Sequence, residues 1–592
     1  MTCLNSDKEE KNNEISNLQN ILLPTIDHFK IHGLFTRWSK GHGRLASDNG
    51  LEVAHGEVAS FNTYYNGFSY KKWQDVTGLE SVGLQLEGTG RAKVSIYLQC
   101  DGGIRLTLLS KVIDLSLPEI IWIDETNTKS TQSIYFDVSP ADSELIVLKS
   151  GGWVTNHRPI NEINLLVVMT TFRREMEATR AYLRFKNDVI PNTSNVSLLI
   201  VDNGATLNLE DTESIRVINN KNLGGAGGFT RGLLEAKSDG RFTHVIFMDD
   251  DANCLSEAIY RTKKLLQFSK MDRMAVAGAM FLEENPVIQY ERSGELILSE
   301  DIRGYWSGHG SWRDLTNWIE CVRNDTETNG NYGGWWFFAF AIKDIEKLPF
   351  PFFVRGDDTD FSIANDLNIT TLNGISTICP DLGSKNGYTT TYLSERSWIA
   401  LNFLHGTEDR CLKVLSGFLK KARNHVQNWD YGRAQSVLLA IEDALQGPEF
   451  FDENPSAIGR FKVISDYAPP RLLTFEEHKR IATSKYRKGI AQYLDRPTQG
   501  NRSLDDMPII LVPAGAEPRR YASQGSILKA YRTEEGLALL KRDPSLEQDL
   551  LKRISLLYKS RRTISKCTYT KYRSSQDRVR SEAAWLKRLD LK

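Results

Sequence analysis

The sequence predicts an α/β protein: a Rossmann-like core, a β-sandwich domain ahead of it and a mainly helical region behind it. Three observations predict this. Continuous apolar runs at 163–172 ("INLLVVMTTF") and 195–204 ("NVSLLIVDNG") alternate with helical patterns such as "REMEATRAYLRF" (174–185), the mark of a parallel sheet covered on both faces. Before about residue 150, alternating stretches such as "AKVSIYLQC" (92–100) and "SIYFDV" (133–138) are separated by Gly, Asp and Asn turn signals, with no long helical period between them. They read as two packed antiparallel sheets. Beyond about residue 405, charged helical patterns dominate, as in "RCLKVLSGFLKKARNHVQNW" (410–429), "AQSVLLAIEDAL" (434–445) and "GLALLKRDPSLEQDLLKRISLLYKS" (536–560).

A chain of 592 residues is too long for one core, and these patterns divide it into 1–155, 156–405 and 406–592. The last region holds one strand-like piece, "MPIILVP" (507–513), and no internal repeat is visible. Hydrophobic content of 40% with 25% charged residues fits a folded, water-facing protein and excludes a disordered chain. No apolar run approaches the roughly 18–20 residues of a spanning helix, and the polar start "MTCLNSDKEEKNNE" lacks a signal core. The seven cysteines are scattered, odd in number and never spaced C-x-x-C, which fits a reducing cytosol and argues against structural zinc. A net charge of −1 argues against a nucleic-acid binder. Residues 541–592 nevertheless carry 15 Lys/Arg against 6 Asp/Glu. That excess could draw the segment to an anionic surface, and equally could be a solvated helix face. The expected location is the cytoplasm, with peripheral contact at the inner face of the cytoplasmic membrane left open by this basic segment.

Every chemically suggestive motif falls where an α/β sheet gathers its ligands, at the carboxyl ends of strands. "FTHVIFMDDD" (242–251) ends in three carboxylates, whose mutual repulsion needs a positive partner. Asp249 and Asp251, two apart on a strand end, share a side and suit a hard cation such as Mg²⁺ or Mn²⁺. An acidic turn capping the next helix is the plainer alternative. "VDNG" (201–204) puts Asp202 at another strand end, able to accept from a ribose or a base. "NKNLGGAGGFTRG" (220–232) places four glycines before a helix, where backbone N–H groups can approach an anion, although it is neither a P-loop nor G-x-G-x-x-G. In "VRGDDTDFSIAND" (354–366), Asp357 and Asp358 precede a helix; one could cap it, and one could serve as a general base. "NYGGWWFFAF" (331–340) sets Trp335 and Trp336 behind two glycines, as core residues or as a platform for sugar rings.

Taken together, "TTFRR", "VDNG", "NLGGAGGFTRG", "FMDDDA", "GGWWFF" and "RGDDTDF" occur in an order that resembles the bacterial galactofuranosyltransferases of glycosyltransferase family 2, the polymerising type with a GT-A core. The resemblance covers roughly residues 160–400, and the β-rich segment before it looks like that family's N-terminal sandwich. It implies a nucleotide-sugar pocket lined by Thr171, Arg173, Asp202, Asn222, Gly224, Gly225 and Asp250. It further implies a Mn²⁺ or Mg²⁺ ion on Asp249 and Asp251, with Asp250 between them turned elsewhere. Asp358 would be the base and Asp357 would orient the acceptor, with Trp335, Trp336, Glu291 and Glu295 shaping the acceptor site. The family supplies histidines after the base, and this chain has none there before His405. His405 is the third candidate metal ligand, with Cys379 and Asp381 as rivals.

The implied activity is inverting transfer of galactofuranose from UDP-galactofuranose to a hydroxyl of a growing cell-surface glycan, lipid-linked in one version. The implied partners are that donor and acceptor, with homo-oligomerisation left open. Two alternatives stand beside it: a transferase for another nucleotide sugar such as dTDP-rhamnose, and a non-catalytic glycan-binding protein with a decayed transferase core.

Overall fold

The computed structural model describes residues 15–591 apart from 41–43, 47–49, 101–103, 124–130, 143–144, 299–305, 381–386, 468–470, 473–508, 512–527, 534–535 and 541. The first region is a sandwich of a six-stranded and a five-stranded sheet. Strand Arg91–Cys100 pairs antiparallel with Thr131–Pro140, placing Val94 beside Val138 and Ile96 beside Phe136. Its even-numbered residues Ala92, Val94, Ile96 and Leu98 are buried, the two-residue alternation expected of a strand with one wet face. A short helix, Tyr70–Thr77, was not legible in the sequence: eight residues hold too little period, yet it buries Trp73 completely.

The core sheet is built from β1 (Leu165–Thr171), β2 (Val196–Asp202), β3 (Ile215–Asn219), β4 (His244–Asp249), β5 (Met274–Ala277), β6 (Phe338–Ala341) and β7 (Asn368–Thr370). Their order is β3-β2-β1-β4-β6-β5-β7. The first four run parallel, and β6 lies antiparallel between β4 and β5. Helices α1 (Glu175–Arg184), α2 (Gly224–Asp239) and α3 (Ser256–Phe268) return the chain between strands. The order reverses at β1, so the crevice at the carboxyl ends of β1, β2 and β4 is the natural ligand site of such a sheet. Register brings Thr171 beside Asp202 and Thr170 beside Asp249 at that crevice.

Sandwich and core are joined by a buried polar network. Arg261 on α3 donates to Glu257, to the Tyr65 carbonyl of the sandwich and to the Asn373 carbonyl of the core. Glu257 in turn accepts from the backbone and side chain of Asn20.

Short α4 (Asp357–Ala364) lies between β6 and β7, and after the core come α5 (Tyr388–His405), α6 (Glu408–Gln427) and α7 (Tyr431–Ala444). The 36-residue α8 (Pro544–Val579) and α9 (Glu582–Arg588) complete the helical region. The helical reading of 536–560 holds only in part. Gly536–Leu540 is a strand paired with Leu528–Thr533, and the helix starts at Pro544, capped by the Asp543 carboxylate on the Ser545 and Leu546 N–H groups. The apolar Ile509–Leu511 is a strand as expected, parallel to the start of 528–533. Among the described residues, no helix is long and apolar enough to cross a membrane.

Candidate active site

The three strand-end carboxylates solve their repulsion in two ways. Asp250 turns inward, where its Oδ2 accepts from the Thr171 hydroxyl at 2.7 Å. Arg174 then donates 2.7 Å hydrogen bonds to both Asp250 Oδ1 and Asp251 Oδ2, supplying the positive charge that the triplet needs. Burial raises the Asp250 carboxyl above its usual range, against the pull of Thr171 and Arg174. The resemblance implied a place for Arg173 in the nucleotide-sugar pocket, not beside these acids. Arg173 is exposed in a left-handed turn (φ 54°), and it is the following residue that faces the acids.

Asp202 is fully buried and its carboxylate accepts from the N–H groups of Gly204, Thr206 and Leu207. It shapes the loop after β2. Asn203 and Asn220 extend that work, linking β2 to Thr170 and to the Gly224 carbonyl. The glycine-rich segment is not a loop before a helix; α2 begins at Gly224 and contains all four glycines. Close approach explains Gly224 and Gly228, and Gly232 one turn further on. A Cβ on Gly228 would lie 2.0 Å from Thr170 Oγ1, and one on Gly232 would lie 2.1 Å from Val168 Cγ1. Gly224 has φ +70°, and a Cβ there would meet the Phe353 carbonyl oxygen at 2.1 Å. Asn222 accepts from the Gly224 N–H, which fixes the helix start.

Across the crevice stands α4. Phe353, Arg355 and Gly356 all take positive φ (79°, 72° and 82°), a strained approach that delivers Asp357 and Asp358 to the first turn of the helix. The Asp357 carboxylate lies 3.4 Å from where a Cβ of Gly225 would be, so the starts of α2 and α4 face each other. Burial, then the charges of Asp358 and Asp249, raise the Asp357 carboxyl well above its usual value. Asp358, also raised by burial, accepts from the Thr359 N–H at 2.7 Å. Glu291 joins this group: burial and the charge of Asp358 push it up to about 8. Tyr332, missed in the sequence, completes it; burial, Glu291 and Asp358 all raise its hydroxyl.

Other expected members stand elsewhere. Trp335 is 5% exposed and packs edge-on against Phe229, Phe247 and Phe361, and Trp336 is 8% exposed with its indole N–H donating to the Gly278 carbonyl. Neither face is open to stack on a sugar, because the segment runs through the core on its way into β6. Glu295 pairs with His309 Nε2 at 3.2 Å. His405 Nε2 lies 2.8 Å from Asp360 Oδ1, and Arg580 holds the same oxygen. Among the described residues no three His, Cys, Asp or Glu side chains form a metal cage, so His405 does not complete a set with Asp249 and Asp251. Cys379 is buried and its thiol is raised by burial and by the charges of Asp251 and Asp249, a poor ligand for a hard cation. Asp381 lies outside the described residues.

The donor set still fits a hard divalent cation. Asp249 and Asp251 offer carboxylate oxygens, and Asp357 feels the charge of Asp249 in a buried setting, the condition a cation relieves. Mg²⁺ and Mn²⁺ sites of this kind use few protein ligands and take the rest from phosphate and water.

A Rossmann-like sheet with paired carboxylates at one strand end and a second acid pair opposite is the framework of a GT-A glycosyltransferase. Two family models match the chain, Galactofuranosyltransferase 2 N-terminal over residues 18–156 and Glycosyl transferase family 2 over residues 166–299. The protein is a glycosyltransferase whose residues 166–299 match the family 2 model, with family-level similarity to the galactofuranosyltransferases. It is 23% identical over 477 residues to galactofuranosyltransferase GlfT2 of Mycolicibacterium smegmatis, spanning 74% of this chain and 72% of that protein. It is likewise 23% identical over 476 residues to GlfT2 of Mycobacterium tuberculosis, spanning 73% and 72%. Among solved structures, GalNAc-T7 with UDP, GalNAc and Mn²⁺ overlaps 54% of this chain and 60% of its own at 11% identity and a TM-score of 0.31, too shallow a likeness to transfer any feature.

Proposed function

We propose that this transferase moves galactofuranose from UDP-galactofuranose to a hydroxyl of a galactofuranose-containing glycan, with inversion and with Mn²⁺ or Mg²⁺ held by Asp249 and Asp251. The observation that carries the reading is the meeting of Asp249 with Asp357 and Asp358 across one crevice, in a chain with the GlfT2-type pair of domains. A cation held by Asp249 and Asp251 would supply Lewis-acid neutralisation of the diphosphate. At the start of α2 the N–H groups of Gly224, Ala226 and Gly227 already donate to Asn222, to the Phe353 carbonyl and to the Leu223 carbonyl, so it is Gly225 that would offer its N–H to the same anion. Thr171 and Arg174 hold Asp250 and Asp251 in place from below, while Asp202 and Asn222 set the loops that border the nucleotide.

On the acceptor side, Asp358 takes the proton from the attacking hydroxyl while that oxygen bonds to the anomeric carbon and the bond to UDP breaks. A carboxylate raised by burial is a better base for this than one in water. Asp357 orients the hydroxyl. Glu291, protonated at neutral pH, presents an O–H donor to the acceptor.

The test is incubation with UDP-galactofuranose, Mn²⁺ or Mg²⁺ and synthetic galactoside acceptors, read by mass spectrometry. Products heavier by one or more hexoses are expected, with UDP-galactopyranose and dTDP-rhamnose inert; transfer from either control instead would reassign the donor. Exposed Lys559, Arg562 and Lys566 on α8, near exposed Leu556 and Tyr558, support peripheral contact with an anionic membrane. Changing these three to Glu should abolish sedimentation with phosphatidylglycerol vesicles.

A further inference from the structure

Helix α4 carries the acid pair, yet at eight residues it is too short to hold its own orientation. What fixes it lies one turn further along, nearly below Asp357. Asp360, three residues after Asp357, has no exposed surface. Its Oδ1 accepts from Arg580, between α8 and α9, and from His405 at the end of α5. Arg580 is 2% exposed, sits over the Phe350 ring and is itself held by Gln576 at 2.9 Å. The surrounding segment fastens to the same stretch of chain. Trp585, fully buried, donates its indole N–H to the Pro349 carbonyl at 2.8 Å, and Arg573 donates to the carbonyls of Leu404 and Gly406 on either side of His405. Burial pushes the Asp360 carboxyl upward, but Arg580 and His405 hold it below its usual range, so it stays an anion bound to two partners.

A fully buried ion pair is weak evidence for stability, because apolar residues of the same size often serve as well; its clearest use is to fix a register. Here the register is that of the catalytic helix. We propose that Arg580, acting through Asp360, is a positioning residue that sets the acid pair Asp357–Asp358 for proton transfer, so that the segment 573–589 is part of the transferase machinery. This rests on the assignment of Asp358 as the base.

The test compares the full-length protein with Asp360→Asn, Arg580→Gln and the double replacement Asp360→Leu with Arg580→Met, measuring melting temperature, kcat, acceptor KM and UDP affinity by calorimetry. The double variant removes both charges together and so keeps a folded comparison where a single change leaves a buried charge unpaired; Arg580→Lys, which keeps the charge but not the reach, serves as a further folded variant. Folded variants are expected to lose about 10–100-fold in kcat, the cost of a small misplacement of catalytic groups, with UDP affinity within about twofold of wild type. Variants that are folded and keep wild-type kcat would overturn the proposal, as would a parallel loss of UDP affinity, which would mark a general collapse of the crevice. Wild-type protein without transferase activity would instead refute the functional reading itself.

Discussion

At the scale of single residues, Glu291 is where pH acts most directly. Its carboxyl is pushed from 4.5 up to about 8 by burial and by Asp358. The folded state therefore keeps a proton that the unfolded state has already lost. Stability from this group is full below about 4.5 and is lost as pH rises to about 8. Glu291→Gln is expected to melt higher than wild type at pH 8, with the gain fading by pH 5; equal melting curves at pH 8 would contradict the raised carboxyl. Asp358→Asn should lower kcat by about 10²–10⁴-fold while leaving UDP affinity unchanged, since it removes the proposed base. The acid residues of this site were legible in the sequence because carboxylates at strand and helix ends have few structural reasons to cluster. Arg174, Tyr332 and the company of His405 were not. Adjacent arginines look alike in a string, and only the left-handed turn at Arg173 decides which of the two faces the acids.

At the scale of elements, α2 shows what periodicity leaves hidden. Five glycines in the first nine residues of the helix read as a flexible approach, since glycine is a poor helix former. The helix forms because its glycines let it press against β1, where Thr170 and Val168 leave no room for a methyl group. Gly232→Ala is therefore expected to destabilise by about 1–3 kcal/mol in urea unfolding, against the usual gain from Ala in a helix. The tryptophan pair illustrates the opposite difficulty. A run of aromatics next to glycines is compatible with a sugar platform or with a core strand, and the choice depends on β5 and α2, which cover it from both sides. Strand Gly536–Leu540 was lost among helical signals because its Leu and Ala residues are also strong helix formers and five residues are too few to show a period.

At the scale of the whole molecule, the three-region reading stands out plainly in the string: alternation, then continuous apolar strands, then charged helices. The regions attach through buried contacts, apolar and polar, between residues far apart in sequence, which no local pattern reports. Arg261 is one such contact, fully buried and shared by sandwich, α3 and core. Arg261→Ala should cost about 3–5 kcal/mol by leaving Glu257 unpaired, and should make sandwich and core unfold in separate calorimetric transitions. Trp585→Ala should cost a similar amount, about 3–5 kcal/mol, through the space it leaves beneath Pro349.

The link between Asp360 and Arg580 spans 220 residues of chain. On a ribosome adding about 5–20 residues per second, that separation is roughly 10–45 seconds of synthesis. For that interval the nascent catalytic domain holds a carboxylate destined for burial without its counter-charge. The proposed setting of the acid pair therefore waits on a residue made long after the catalytic crevice itself has been synthesised.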